Sequence, residues 1–265
     1  MTKCNVFHKI ISALIIINLI MLLAGCGGTK VLSEPQPLEN TQPLATAGDQ
    51  NVSATLIWVI VRDGPGTWAK NADWDEYLVN VMNGSGESIQ IIDVTIVDSL
   101  GVRQANNADY KELVDESYKT TKRYKDSHLE VKAGIGIGTV LAVTGASLAG
   151  AGALATAAAP VSAIMTGGAL IGVAAAAGAI VVLVPSVVGI GTVRYINRKK
   201  VAEEIEKRHT ALPVNIKSHE NLSLDVFFPL APSPTQLEIT YMIAGVKETL
   251  VVNTSKALNG LHLVQ

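Results

Sequence analysis

The side chains able to do acid–base or metal chemistry are few in this chain and poorly spaced for it. Histidines stand at 8, 128, 209, 219 and 262, and no two bracket a glutamate in the HExxH manner of a zinc hydrolase helix. His219 with Glu220, joined by His209, offers metal-ligand types, but their surroundings read as a solvated helix end and loop. Asp73, Trp74, Asp75 and Glu76 place three carboxylates in four residues. That density suits a cation or a glycan, and equally a solvated turn before a strand. Gly134-Ile135-Gly136-Ile137-Gly138 lacks both the GxGxxG spacing and the lysine of a phosphate loop, and no GxSxG elbow occurs. Trp58, Trp68 and Trp74 are the only tryptophans; core burial is the default for each, and positions 68 and 74 are the two that could face a partner. The chain is therefore read as a non-enzyme with no catalytic set, metal or diffusible cofactor.

Only two cysteines occur, Cys4 and Cys26, and both lie near the start. Lys3 and Lys9 precede an apolar run at residues 10–24, which ends in Gly25, Cys26, Gly27 and Gly28. The run falls short of the roughly 20 residues a spanning helix needs, so residues 1–25 read as a secretory signal. Leu23-Ala24-Gly25-Cys26 resembles the lipobox of bacterial lipoproteins, and the charged start and apolar run complete the likeness. That resemblance implies cleavage before Cys26 and a covalent lipid on it. Gly27 stands where an Asp commonly retains such proteins in the inner membrane. By the same resemblance the protein is expected on the outer membrane facing the periplasm, with the inner membrane or the cell surface as the other placements. The mature chain then has neither free thiol nor disulfide. Without Lys3 and Lys9 it carries 19 basic against 23 acidic residues, a balance with no global attraction to nucleic acid.

Residues 26–53 are rich in Gly, Pro, Gln, Thr and Asn, show no period, and read as a flexible tether. Residues 54–104 hold short β-type runs. Tyr77, Val79 and Val81 alternate against Leu78 and Asn80, and Ile92, Val94 and Ile96 against Asp93 and Thr95. Asn83, Gly84, Ser85 and Gly86 between them read as a hairpin connection. The same texture returns in 213–265, with Leu222, Leu224 and Val226, then Leu237, Ile239 and Tyr241, then a turn at Ala244 and Gly245. Neither half fills two sheets alone, so together they predict an immunoglobulin-like β-sandwich split in sequence by residues 105–212. The expected class is α+β. Polar helical arms flank the insertion: Tyr110, Leu113, Val114, Ser117, Thr121 and Tyr124 recur at helical spacing going in, and Val201, Ile205 and Leu212 coming out, with Pro213 as the stop.

Between the arms, residues 133–193 contain no Asp, Glu, Lys, Arg, His or aromatic residue, and hold 12 Gly and 17 Ala. At 1.5 Å per residue a helix of about 25 residues is about 37 Å long, so the run could cross a bilayer core twice and return both ends to one side. Gly134, Gly138, Ala142, Ala146 and Gly150 form an i,i+4 ridge, answered by Gly168, Gly172 and Ala176. In lipid, helices associate through close van der Waals contact, which small residues permit. The pattern resembles the glycine-zipper two-helix hairpins of some outer-membrane lipoproteins. It implies a structural role in scaffolding a membrane assembly, with membrane lipid and either further copies of the chain or another envelope protein as partners. Two other readings stay open. One is a pore or translocation element lined by several hairpins; the other is a secretion-system accessory lipoprotein that binds a partner through the sandwich. Burial of the Ala-rich pair inside an oligomer is the alternative to membrane contact.

Overall fold

The computed structural model describes residues 28–35, 42–134 and 188–264. In chain order these carry β1 (Lys30–Val31), β2 (Ala45–Gly48), β3 (Val52–Ile60), β4 (Ala69–Lys70), β5 (Trp74–Asn83), β6 (Ile89–Val97), β7 (Arg103–Ala105), α1 (Tyr110–Asp126), β8 (Glu130–Val131), α2 (Val188–Arg208), β9 (Val214–Ile216), β10 (Asn221–Pro229), β11 (Gln236–Ile243), β12 (Val246–Asn253) and β13 (Leu263–Val264). Strands dominate and two helices accompany them, an α+β composition. One large sheet has the order β10-β5-β3-β2; the other runs β12-β11-β6-β7, with β9 also on β6. All pairings are antiparallel, and in both sheets strands from before residue 135 lie beside strands from after residue 187.

Period-two alternation decides which residues each face buries. Leu56, Tyr77, Val79, Val226 and Phe228 of the first sheet meet Ile91, Val94, Ile96, Ile239 and Tyr241 of the second in one core. The opposite face of the first sheet presents Trp58, Trp74 and Phe227 to Leu113 of α1 and to Val201 and Ile205 of α2. β3 serves both faces because a bulge between Leu56 and Trp58 moves its phase by one residue. Val52, Ala54 and Leu56 enter the core before it, Val59 and Val61 after it, while Trp58 and Ile60 turn to the helices. A similar irregularity on β6 skips Ile92 in the pairing with β11. Ile89 and Ile91 are consequently the core residues, where unbroken alternation had pointed to Ile92.

Two further expectations are corrected here. Residues 83–86 do not close a hairpin, because β5 and β6 belong to different sheets. Asn83 holds this corner by donating from Nδ2 to the carbonyls of Glu87 at 2.7 Å, Lys217 at 3.0 Å and Ile216 at 3.1 Å. Buried backbone carbonyls need such donors wherever the ladder stops. Within residues 26–53, expected as tether, β1 pairs with β4 and β2 with β3. Leu44, Ala45 and Ala47 pack against the core, and Asp49 accepts the N–H groups of Asn51 and Val52 at 2.7 Å each, turning β2 into β3. Composition concealed these strands because each is short and carries small side chains.

α1 begins at Asp109, whose side chain accepts the Glu112 N–H at 2.8 Å. It buries Leu113, Ser117, Thr120 and Tyr124 at helical spacing. α2 is buried at Val201 and Ile205, both 0% exposed, whereas residues 194–200 are exposed or half-exposed all round the helix. The C-terminal half of α2 is thus buried in the domain, and the preceding two turns are largely exposed.

Candidate functional site

The clustered carboxylates ahead of β5 do not form one acidic site; the strand sends them three ways. Asp73 pairs with the guanidinium of Arg62. Asp75 and Glu76, one residue apart, emerge on opposite faces of the first sheet, as the pleat requires.

Asp75 is fully buried with His262, whose Nε2 lies 2.6 Å from Asp75 Oδ2. The other ring nitrogen, Nδ1, accepts the N–H of Gly134 at 3.1 Å. A backbone donor at Nδ1 requires a lone pair there, so the ring is neutral and its proton sits on Nε2, donated to Asp75. Burial pushes the Asp75 carboxyl up, while His262 and then Arg62 pull it back. Both ring nitrogens are therefore occupied in holding structure. The pairing of β13 with β8 brings His262 to this place, assisted by the Lys132 N–H, which donates to the His262 carbonyl at 2.9 Å.

Glu76 faces the helices. Its carboxylate accepts from Trp68 Nε1 and lies 3.3 Å from Arg208 Nη1. Arg208 also stacks over the Trp68 ring at 4.9 Å and donates from Nε to Glu204 at 2.9 Å. Burial first, then the neighbouring Asp225 carboxyl, push Glu76 up to about 7, against the opposing pull of Trp68 and Arg208. Asp225 is raised as well, mainly by burial. The cluster ties the last turn of α2 to β5 and β10. His209 follows it and shares a 3.0 Å hydrogen bond with Asn106 Oδ1.

The loop between β3 and β5 connects these fastenings to the N-terminus. A Cβ placed on Gly134, where φ is +121°, would stand 3.1 Å from the Arg62 carbonyl. Arg62 Nε donates to the Ala72 carbonyl at 2.8 Å. The next residue back, Asn71, donates from Nδ2 to the Gly28 carbonyl at 3.4 Å, and a Cβ on Gly28 would lie 3.7 Å from Arg194 Cγ. Gly134 and Gly28 thereby lie by one loop, with Arg194 beside Gly28. They are, respectively, the start of the uncharged run, a residue two places after Cys26, and the first charged residue beyond the run. No protein-family model, curated protein or solved structure matches this chain.

Gly134, expected as the first residue of the helix-packing ridge, instead lies in a bend at positive φ with its N–H on His262. Gly138, Ala142, Ala146, Gly150, Gly168, Gly172 and Ala176 lie outside the described residues, as does Cys26. Among the described residues no helix is long and apolar enough to cross a membrane, and no three His, Cys, Asp or Glu are placed to hold a metal. His209, His219 and Glu220 are not brought together as a ligand set. Trp58, Trp68 and Trp74 are all buried in the helix-covered cluster, so neither 68 nor 74 faces a partner. A cavity of about 240 Å³ lies between β7 and α1, lined in part by Gln104, Glu116, Thr120 and Arg123; none of the groups at 75, 76, 208, 225 or 262 lines it. Sequence reasoning missed His262, Arg208 and Asp225, which become neighbours of the β5 carboxylates only through pairing over long separations.

Proposed function

We propose that this chain is a lipid-anchored cell-envelope protein whose uncharged run, residues 133–193, engages the membrane and whose β domain is the mount that holds it. The observation that carries this reading is that Gly28 and Gly134 both lie by the loop between β3 and β5, with the Arg194 side chain beside Gly28. A segment that leaves and returns at one end of its mount suits an even number of membrane crossings. An anchor on Cys26, close to that same end, would hold it against the bilayer. The Gly/Ala ridge then supports helix pairing within or between copies, and the role is structural, scaffolding a membrane assembly. The immunoglobulin-like class of the β part belongs to the same proposal, supported by two antiparallel sheets about a shared core.

Fractionation of cells grown with an alkyne fatty acid tests the anchor and the run separately. Cys26→Ser should lose the label yet stay with membranes, and removal of residues 135–187 in that background should release a soluble protein. Label retained by Cys26→Ser, or a double variant that still pellets, would overturn the reading. Assembly is tested by crosslinking in membranes: Gly138→Leu with Gly172→Leu should abolish the higher species that Val143→Leu with Val173→Leu preserves. Identical ladders for the two pairs would leave no role for the ridge.

A further inference from the structure

The two turns of α2 ahead of Val201 have a composition of their own. Tyr195 is 70% exposed and Ile196 50% exposed, and Arg198, Lys199 and Lys200 follow, all exposed. Val201, where α2 becomes fully buried, lies only six positions after Tyr195. An aromatic and a large aliphatic side chain exposed together, beside cations and immediately after an uncharged run, match what membrane–water interfaces select: an amphipathic ring at headgroup depth and cations that reach the phosphates. At 1.5 Å per residue, residues 194–200 cover about 10 Å, enough to span the roughly 5–8 Å headgroup layer of one leaflet.

The fold adds cations at the same end. β1 and β4 place Lys30 directly opposite Lys70, and both are exposed. β1 packs against α2, and a Cβ on Gly28, just ahead of it, would lie 3.7 Å from Arg194 Cγ. Near this end Asp73 pairs with Arg62 and Glu203 with Lys199; the exposed Glu34 and Asp63 are then outnumbered by Lys30, Lys70, Arg198 and Lys200, although the chain is acidic overall.

We propose that Tyr195, Ile196, Arg198 and Lys200, with Lys30 and Lys70, form a collar that seats the domain on a bilayer and binds anionic phospholipid headgroups. The inference rests on the reading that the run engages lipid, and it adds which surface of the domain meets the headgroups and what chemistry they carry. Without a lipid surface the exposed Tyr195 and Ile196 would meet only water, whereas Val201 and Ile205 further along the same helix are fully buried.

The full chain, with Cys4 and Cys26 replaced by Ser and one cysteine returned for a polarity-sensitive fluorophore, is reconstituted into vesicles of phosphatidylcholine alone or mixed with phosphatidylglycerol. Labels go at Ile196→Cys in the collar, at Leu148→Cys in the run, and at Tyr118→Cys on α1, which is 72% exposed and serves as the solvent reference. Quenchers carried on the lipid should quench 148 and 196 and leave 118 untouched. The joint change of Lys30, Lys70, Arg198 and Lys200 to Gln should weaken the preference for phosphatidylglycerol vesicles at least ~10-fold while 148 remains quenched. If 148 is quenched but 196 stays as exposed as 118, or if the Gln variant keeps its lipid preference, the collar is wrong and the reading of the run stands. If 148 and 196 are both unquenched, the run does not engage lipid and the collar falls with it.

Discussion

At Gly134 a single hydrogen atom in place of a side chain allows both a positive φ of +121° and an approach to the Arg62 carbonyl that a Cβ would reduce to 3.1 Å. Gly134→Ala should therefore destabilise the protein by about 1–3 kcal/mol, the usual cost of backbone strain at such a position. Gly86→Ala, whose Cβ would meet nothing within 4 Å, should change stability by no more than about 0.5 kcal/mol. Urea titrations of the two variants in mild detergent compare them, and equal midpoints would show that Gly134 carries no such strain. Glu76 supplies a pH signature. Its carboxyl rises from an ordinary 4.5 to about 7 on folding, so across that window the native state holds more protons than the unfolded chain. Stability is then greatest below about 4.5 and falls as pH rises toward about 7, by at most on the order of 3 kcal/mol. Glu76→Gln keeps an acceptor for Trp68 but cannot titrate, and it should flatten this part of the stability–pH curve. An unchanged slope would show that another group carries it.

The elements divide their surfaces by phase. α2 buries Val201 and Ile205 against Trp58, Trp74 and Phe227, and a fully buried aliphatic side chain contributes about 1.5–3 kcal/mol. Ile205→Ala should cost about 2–5 kcal/mol, transfer and cavity together. Tyr195→Ala, a few turns earlier on the same helix, should leave stability within about 0.5 kcal/mol. Thermal unfolding followed by tryptophan fluorescence reads both, since the three tryptophans lie in the affected cluster. A Tyr195→Ala variant as unstable as Ile205→Ala would mean that the stem of α2 is packed against the domain after all. β3 shows why one strand can feed two cores. Its bulge at residue 57 exchanges the inward and outward sets, and without that extra residue Trp58 would point into the shared core already filled by Tyr77 and Phe228.

For the molecule as a whole, the place at which the segment can be removed follows from the helices. Cutting out all of residues 105–212 would take away Leu113, Val201 and Ile205 and expose the helix-covered cluster to water. Replacing only residues 135–187 with a Gly/Ser linker leaves that cluster intact. This second version should be soluble and unfold in one cooperative transition, whereas the first should aggregate or melt broadly. The reverse outcome, checked by calorimetry and gel filtration, would show that the helices are dispensable.

Local patterns were legible wherever one physical preference acts over a few neighbouring residues. The helical spacing of Leu113, Ser117 and Tyr124 and the alternation of Tyr77, Val79 and Val81 could both be read without coordinates, because side-chain periodicity follows directly from backbone geometry. Bulges hide from such reading, since one inserted residue near 57 or 92 reverses every later side chain at little visible cost in the pattern. Short strands such as β1 and β2 hide because their order comes from partners and not from their own composition. The partners of Asp75 and Glu76 lay further out of reach. His262 and Arg208 stand 187 and 132 residues away in the chain, and only the pairing of β8 with β13 and the docking of α2 bring them to β5. A buried carboxyl must find a donor wherever the fold supplies one, and that choice belongs to the tertiary structure alone.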